Sequence, residues 1–178
     1  MASEHIAELK KWVAELVGNG NRGEALAWNR ALELIGKNFG VETHEIAILG
    51  LTPDERSLRF LAPSNLRPVG QIPLSSANAL AARTVREGRP EVINHFYAVP
   101  HASVFEGVPI TEDHRGDPIQ KIMSAPVIVS HKVIGVVQVS RKGKTPADAG
   151  PDFTFPDLRA LAAISDALVP CLQVCAEQ

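Results

Sequence analysis

The feature that most constrains this chain is a pair of apolar runs in its C-terminal half. Residues 121–129 and 133–140 are rich in valine and isoleucine, and the polar tripeptide 130–132 joins them. This pattern predicts two antiparallel strands connected by a turn, and the near-continuous apolar content predicts that both faces are covered. Gly135, inside the second run, indicates close approach by a helix or by backbone. We therefore expect a layered fold around a sheet.

The segments before this hairpin alternate between helical and extended patterns. Residues 3–17 and 24–39 carry apolar side chains at helical spacing, and the alanine-rich stretch 77–87 favours a helix with Ser76 as its N-cap. Together they predict an α+β fold with α/β/α layers, in which helices from both termini cover one face of an antiparallel sheet and the irregular segment 95–118 covers the other. Further strands are predicted at residues 41–49, 57–61, 72–74 and 91–94.

The last helix is expected to begin near Pro156, since proline fits the first turn of a helix. Pro170 has no N–H to donate to the carbonyl of Asp166, so the helix should kink or end there. Phe153, just before this helix, can pack back onto the body of the domain and anchor the entry of the chain.

The length of 178 residues fits one ordinary domain with an additional helix. We expect residues 1–23 to form an N-terminal amphipathic helix and connector, and residues 24–178 to form the domain. No separate output domain is expected within this length. With 45% hydrophobic residues, the chain has enough apolar side chains for a substantial core.

Charge and hydropathy limit the classes of partner that the sequence predicts. The 18 basic and 20 acidic residues are interspersed and give a net charge of −2, so the sequence predicts no nucleic-acid partner. No apolar run reaches 18 residues and the N-terminus is polar and acidic, so neither a membrane partner nor a signal peptide is predicted. We expect a cytoplasmic protein. Cys171 and Cys175 lie four residues apart near the C-terminus, which argues against a disulfide-stapled secreted domain.

The order and content of these elements resemble the GAF domain family. The resemblance extends over roughly residues 24–172 and leaves the first helix outside. It is carried by the apolar hairpin with its polar turn, by the segment 89–94 that follows a short helix, and by Phe153-Thr154 with Asp157-Leu158 after a variable loop.

This resemblance implies a non-enzymatic regulatory sensor. It implies a small-molecule pocket on the sheet face opposite the terminal helices, roofed here by residues 95–118, and a homodimer formed through the apolar stripes of the first and last helices. The signal would pass to a separate protein partner. The sequence identifies neither the ligand nor a cofactor.

The candidate ligand-binding residues come from the segment 95–118 and from the strands beside it. A long irregular segment within a compact domain is typically functional. Met123 and Ser124 begin a strand beside the expected mouth of the pocket, although Met123 also suits a purely apolar core position. Gln138 is polar within an apolar strand, so it contacts either a ligand or a neighbouring polar group. The candidates are His95, Tyr97, His101, Phe105, His114, Met123, Ser124 and Gln138.

The sequence matches the residue requirements of other activities within the family less well. The histidines at 95, 101 and 114 leave open an alternative function as a haem- or metal-dependent redox or gas sensor, but compact ligand spacing is lacking. The cyclic-nucleotide signature is broken at Ser140-Arg141 and at Leu158. Methionine sulfoxide reduction and bilin attachment need a cysteine beside the pocket, whereas both cysteines here lie in the last helix.

Overall fold

A computed structural model describes residues 2–19, 28–98 and 117–176 of the chain. The predicted α+β fold with an antiparallel sheet is confirmed. The helices are α1 (Ala2–Gly18), α2 (Trp28–Phe39), α3 (Leu80–Glu87), α4 (Phe155–Ala167) and α5 (Val169–Ala176). The strands are β1 (Ile46–Leu51), β2 (Ser57–Ala62), β3 (Gln71–Pro73), β4 (Glu91–Ile93), β5 (Ile119–Val129) and β6 (Lys132–Lys142).

The six strands form one sheet in the order β3-β2-β1-β6-β5-β4, and every neighbouring pair is antiparallel. The long β5–β6 hairpin lies near the centre, as the two apolar runs predict. Its register places Ser124 opposite Gln138, and Gln138 also faces Ala47 of β1 on its other side. Successive side chains of a strand point to opposite faces, so this register decides which residues of the hairpin share a face.

The helical layer of the sheet is formed by α1, α2, α4 and α5, and it packs on one face only. Buried side chains from these helices form a continuous apolar cluster with alternate residues of the strands. Among the strand residues that contribute to it are Ile46, Ile48, Met123, Val137 and Val139.

The opposite face, which we call the α3 face, holds a second apolar cluster. Helix α3 and the 3₁₀ turns Ser64–Val69 and Phe96–Ala98 pack there against the other set of strand residues. Among its members are Ala47, Leu49, Phe60, Ile122 and Val136.

Gly135 confirms the predicted close approach. A Cβ atom at this position would overlap both Leu172 of α5 and the carbonyl oxygen of Leu49 on β1. Only a residue without a side chain lets α5 lie so near the sheet.

The break in the last helix is also confirmed. Helix α4 ends at Ala167 and α5 starts at Val169, with Leu168 between them, and the two axes are bent by 46°. Pro170 cannot donate to the carbonyl of Asp166, and the N–H of Cys171 instead donates to Leu168 at 3.0 Å. Phe153 is buried in the helical layer, as expected for an anchor.

Some boundaries differ from the predictions. The first strand begins at Ile46, because residues Thr43–Glu45 form a 3₁₀ turn whose capping interaction joins Glu42 to Glu45. Ser76 is not the N-cap of α3; that position is Ala79, three residues later. The expected boundary between residues 23 and 24 lies outside the described residues.

Within the described residues, no single helix is both long and apolar enough to cross a membrane. The bent α4–α5 pair passes the same length and composition criterion only when its two helices are taken together.

Candidate functional site

A chain of three buried polar side chains lies within the apolar cluster of the α3 face. Thr84 comes from α3, Ser124 from β5 and Gln138 from β6, and all three are almost completely removed from solvent. The register explains the last two, since Ser124 and Gln138 are directly opposed across the hairpin. Thr84 is one turn after Leu80 on the buried side of α3 and completes the group.

The hydrogen bonds that connect these three side chains all run in one direction, from Gln138 through Ser124 to Thr84. The Thr84 hydroxyl donates to the Leu80 carbonyl at 2.9 Å. The Thr84 and Ser124 hydroxyl oxygens are 2.7 Å apart, and because Thr84 has only one proton, Ser124 must donate in this bond. The Gln138 amide then donates to the Ser124 oxygen at 3.2 Å. Both hydroxyl protons are thus used, and the series of hydrogen bonds between side chains ends at the Gln138 amide.

Hydroxyl and amide groups are tolerated inside an apolar core when they are hydrogen-bonded, as these three side chains are. A buried hydroxyl or amide without a partner costs roughly 1–3 kcal/mol, so apolar residues are the simplest solution inside a sheet. Within the described residues, Gln138 makes this one side-chain hydrogen bond, although its amide has two donors and one acceptor oxygen.

The segment that follows β4 is tied to the domain at two points. The Asn94 side chain donates to the Phe153 carbonyl at 3.0 Å and accepts from the Phe153 N–H at 2.9 Å. Phe96 is buried in the cluster of the α3 face. Between and beside these anchors, His95 is exposed and Tyr97 is 55% exposed. These two side chains are therefore at the surface, beside the α3 face.

The structure brings together only part of the predicted site. Ser124 and Gln138 are in direct contact, whereas Met123 is fully buried in the helical cluster on the other face, because successive residues of β5 alternate. Met123 is thus placed as the apolar core residue that its sequence context also allowed. The candidates His101, Phe105 and His114 lie outside the described residues.

Sequence analysis missed Thr84 and Asn94. Thr84 was hidden in an alanine-rich helix, where a single hydroxyl gives no periodic signal. The usable signal was its position four residues after Leu80, where a threonine hydroxyl can bond to the preceding turn. Asn94 joins two segments 59 residues apart, and no local pattern encodes that contact.

The two cysteines belong to the helical layer. Both are free thiols in α5, on the other side of the sheet from Ser124 and Gln138. Burial, with a smaller effect of Cys175, raises the pKa of Cys171 to about 12. Burial also raises the pKa of Cys175, while Arg59 and Arg67 act to lower it. Neither thiol has the lowered pKa and the position beside the α3 face that sulfur chemistry there requires.

Within the described residues, no group of three or more His, Cys, Asp or Glu side chains could hold a metal ion. His95 is the one predicted histidine candidate in that part of the chain, and it is exposed.

Comparison with known families decides the classification of the fold. A model of the GAF domain matches residues 26–170. The chain belongs to the GAF domain family. GAF domains are commonly sensory or regulatory. This match confirms the family resemblance that the hairpin and the flanking segments indicated. No curated protein matches the sequence.

Solved GAF-like structures share the fold at low sequence identity. The GAF domain of an Acinetobacter phosphoenolpyruvate-protein phosphotransferase is 12% identical, with a TM-score of 0.63 over 96% of this chain and 91% of that chain. The free methionine-R-sulfoxide reductase of Neisseria meningitidis, solved with its substrate, is 13% identical, with a TM-score of 0.64 over 99% and 91%. A domain of a Sinorhizobium meliloti sensor histidine kinase protein is 14% identical, with a TM-score of 0.55 over 85% and 92%. The neighbours thus include a domain of a sensor histidine kinase protein as well as an enzyme.

Proposed function

We propose that this GAF domain is a non-enzymatic sensor that binds a small molecule on the α3 face and passes the signal to a separate protein. The ligand lies next to Gln138; the predicted roof of the pocket, residues 95–118, falls for the most part outside the described residues. The observation that carries the proposal is the directed chain of hydrogen bonds from Gln138 through Ser124 to Thr84. It supports a ligand-binding role because it holds the Gln138 amide in one orientation inside an apolar surface.

The absence of enzymatic activity is part of the proposal. Methionine sulfoxide reduction on this fold would need a reactive thiolate near the ligand. The positions and raised pKa values of Cys171 and Cys175 favour a binding function instead. Activity is tested directly by incubating the protein with free methionine sulfoxide and dithiothreitol. We expect no methionine above the protein-free control, and steady turnover would overturn this part of the proposal.

Ligand binding is tested with the fraction below 1 kDa of a bacterial cell extract, added to the purified protein in a thermal unfolding experiment. A ligand at about 100 times its Kd stabilises by roughly 2.7 kcal/mol, which corresponds to about 5–10 °C in a domain of this size. We expect such a shift for the wild type, with the ligand then identified by mass spectrometry of the bound fraction. No shift in any fraction would contradict the proposal.

The matched variants are Gln138→Leu and Gln173→Ala. Gln173 is an exposed glutamine of α5, so its variant should respond to the extract as the wild type does. Gln138→Leu removes the amide but keeps the Ser124–Thr84 hydrogen bond, and we expect the ligand-induced shift to be lost. A full shift in Gln138→Leu would remove Gln138 from the site.

The homodimer through the terminal helices is also proposed. The central apolar residues of α1, Leu9 and Val13, are buried within the protomer. The dimer contact would therefore use apolar side chains that the helices leave at the surface, of which Phe155 is 73% exposed and Val17 is 45% exposed. Sedimentation velocity at micromolar concentration should give twice the 19.2 kDa protomer mass. Phe155→Glu should give the protomer mass, and a wild-type monomer would exclude this dimer.

A further inference from the structure

A second cavity lies on the helical side of the sheet, at the edge formed by β2 and β3. Its volume is about 410 Å³, within the range of small-molecule sites. It is distinct from the proposed sensor pocket, because Arg59 reaches α5 of the helical layer whereas Gln138 faces α3. Binding in this cavity is therefore independent of the proposed sensor function.

Two arginines line this cavity. The Arg59 guanidinium donates through Nη2 to the Cys175 carbonyl at 3.1 Å, and Arg67 donates through Nε to the Leu61 carbonyl at 3.0 Å. In residues 2–19, 28–98 and 117–176, neither arginine forms an ion pair with a carboxylate. The two backbone carbonyls orient the guanidinium groups, and no carboxylate of the described residues compensates their positive charges.

Arg59 also carries a donor that the protein leaves unused. Its Nε is buried and has no hydrogen-bond partner in the described part of the chain. A buried donor without an acceptor is unfavourable, so an acceptor supplied from outside would relieve that cost. Gln71 is the direct cross-strand neighbour of Arg59 and adds an amide to the same wall.

The charge of the lining is specific to this cavity. None of the described residues that line it is acidic. By contrast, a cavity of about 460 Å³ between residues 42–45 and 142–148 is lined by Glu42, Glu45, Asp117 and Asp148 as well as by two lysines. Among the described residues, the first cavity thus combines two guanidinium groups with no carboxylate in its wall, whereas the second does not.

We infer that the cavity between β2, β3 and α5 is a binding site for a small oxyanion, held by Arg59 and Arg67. The shared chemistry of the ligand is a carboxylate or phosphate group, whose oxygens match the planar donors of guanidinium. Cys175 lies in the wall of the site, so its thiol reports on occupancy. A bound anion opposes formation of the thiolate and lowers the rate of alkylation.

The test is isothermal titration calorimetry in an anion-poor buffer, with malonate and inorganic phosphate as separate probes. We expect at least one of the two to bind, and the tighter one identifies the oxyanion class. Because a hydrogen bond from a guanidinium to an oxyanion is charge-assisted, Arg59→Gln and Arg67→Gln should each weaken binding by about tenfold or more. The same probe should slow the reaction of Cys175 with iodoacetamide in the wild type.

The matched control is Arg56→Gln, which removes the same charge from an exposed arginine of the β1–β2 turn that does not line the cavity. It should bind within about twofold of the wild type, and so should Ser124→Ala on the α3 face. Lack of binding by both probes at 10 mM, or an equal loss in Arg56→Gln, would overturn the inference. If Arg59→Gln does not fold, Arg67→Gln alone decides it.

Discussion

The two faces of the sheet differ in how they hold buried polar side chains, although the same strands supply both. On the helical side, where α5 approaches so closely that residue 135 must be glycine, Ser165 donates to a carbonyl of its own helix. On the α3 face, Thr84, Ser124 and Gln138 come from three different elements and hydrogen-bond to one another. The polar contacts of the α3 face therefore depend on tertiary packing, whereas the contact of Ser165 lies within one helix. Four predictions test this difference, and the largest effect comes first.

Leu161→Ala should destabilise the protein by about 2–5 kcal/mol, because Leu161 is fully buried in the helical layer and its truncation leaves a cavity. Arg159→Ala, at an exposed position of the same helix, should change stability by less than about 0.5 kcal/mol. Urea denaturation followed by circular dichroism measures both. Equal effects for the two variants would mean that the helical layer is not the main source of stability.

Gly135→Ala should cost about 1–3 kcal/mol, since the added Cβ overlaps Leu172 and the Leu49 carbonyl and forces α5 away from the sheet. The control is Gly18→Ala, at the end of α1, where nothing lies within 4 Å of the added atom. Urea denaturation of the two variants should separate them clearly. A neutral Gly135→Ala would contradict the close approach of α5.

Thr84→Val should cost about 1–2 kcal/mol despite its similar shape, because the Ser124 hydroxyl loses its acceptor in a buried environment. Thr84→Ser keeps the hydroxyl and should retain the hydrogen bond. A double-mutant cycle of Thr84→Val with Ser124→Ala should show strong non-additivity. Additive effects would show that the two hydroxyls do not interact, and would weaken the case for a specialised α3 face.

The smallest effect concerns the cysteines and leaves stability unchanged. The raised pKa values keep both thiols protonated at pH 8, so iodoacetamide should leave Cys171 unmodified and should label Cys175 more slowly than free cysteine. In 8 M urea both should react at the rate of an ordinary thiol. Intact-protein mass spectrometry counts the labels. Rapid native labelling of Cys171 would place a reactive thiol in the helical layer.

Much of the fold was predictable because it depends on local pattern. Local sequence was enough to predict three features: the apolar strands β5 and β6, the break before Pro170 and the glycine at position 135. The first two follow from the residues of their own segment, and the glycine follows from the close approach of backbone. The start of β1 was not predicted correctly, since the capping interaction of Glu42 with Glu45 favours a 3₁₀ turn over continued extension.

The candidate site was less predictable. Ser124 and Gln138 were identified as polar residues in apolar strands, but their partner Thr84 is 40 residues from Ser124 in sequence. Met123 and Ser124 are adjacent, and only the face that each occupies separates a core residue from a site residue. The arginine cavity was not predicted at all, because Arg59, Arg67 and Cys175 come from three separate segments.

The sequence by itself determined the family, the layered α+β architecture and the central position of the β5–β6 hairpin. These features depend on the periodicity of apolar residues and on backbone constraints, and both can be recognised within short segments of sequence. Only the tertiary structure decided which polar groups meet on each face. Thr84 meets Ser124 across the α3 face, and Arg59 meets the carbonyl of Cys175 on the helical face. Such contacts depend on strand register and helix packing, which bring distant segments within hydrogen-bonding distance.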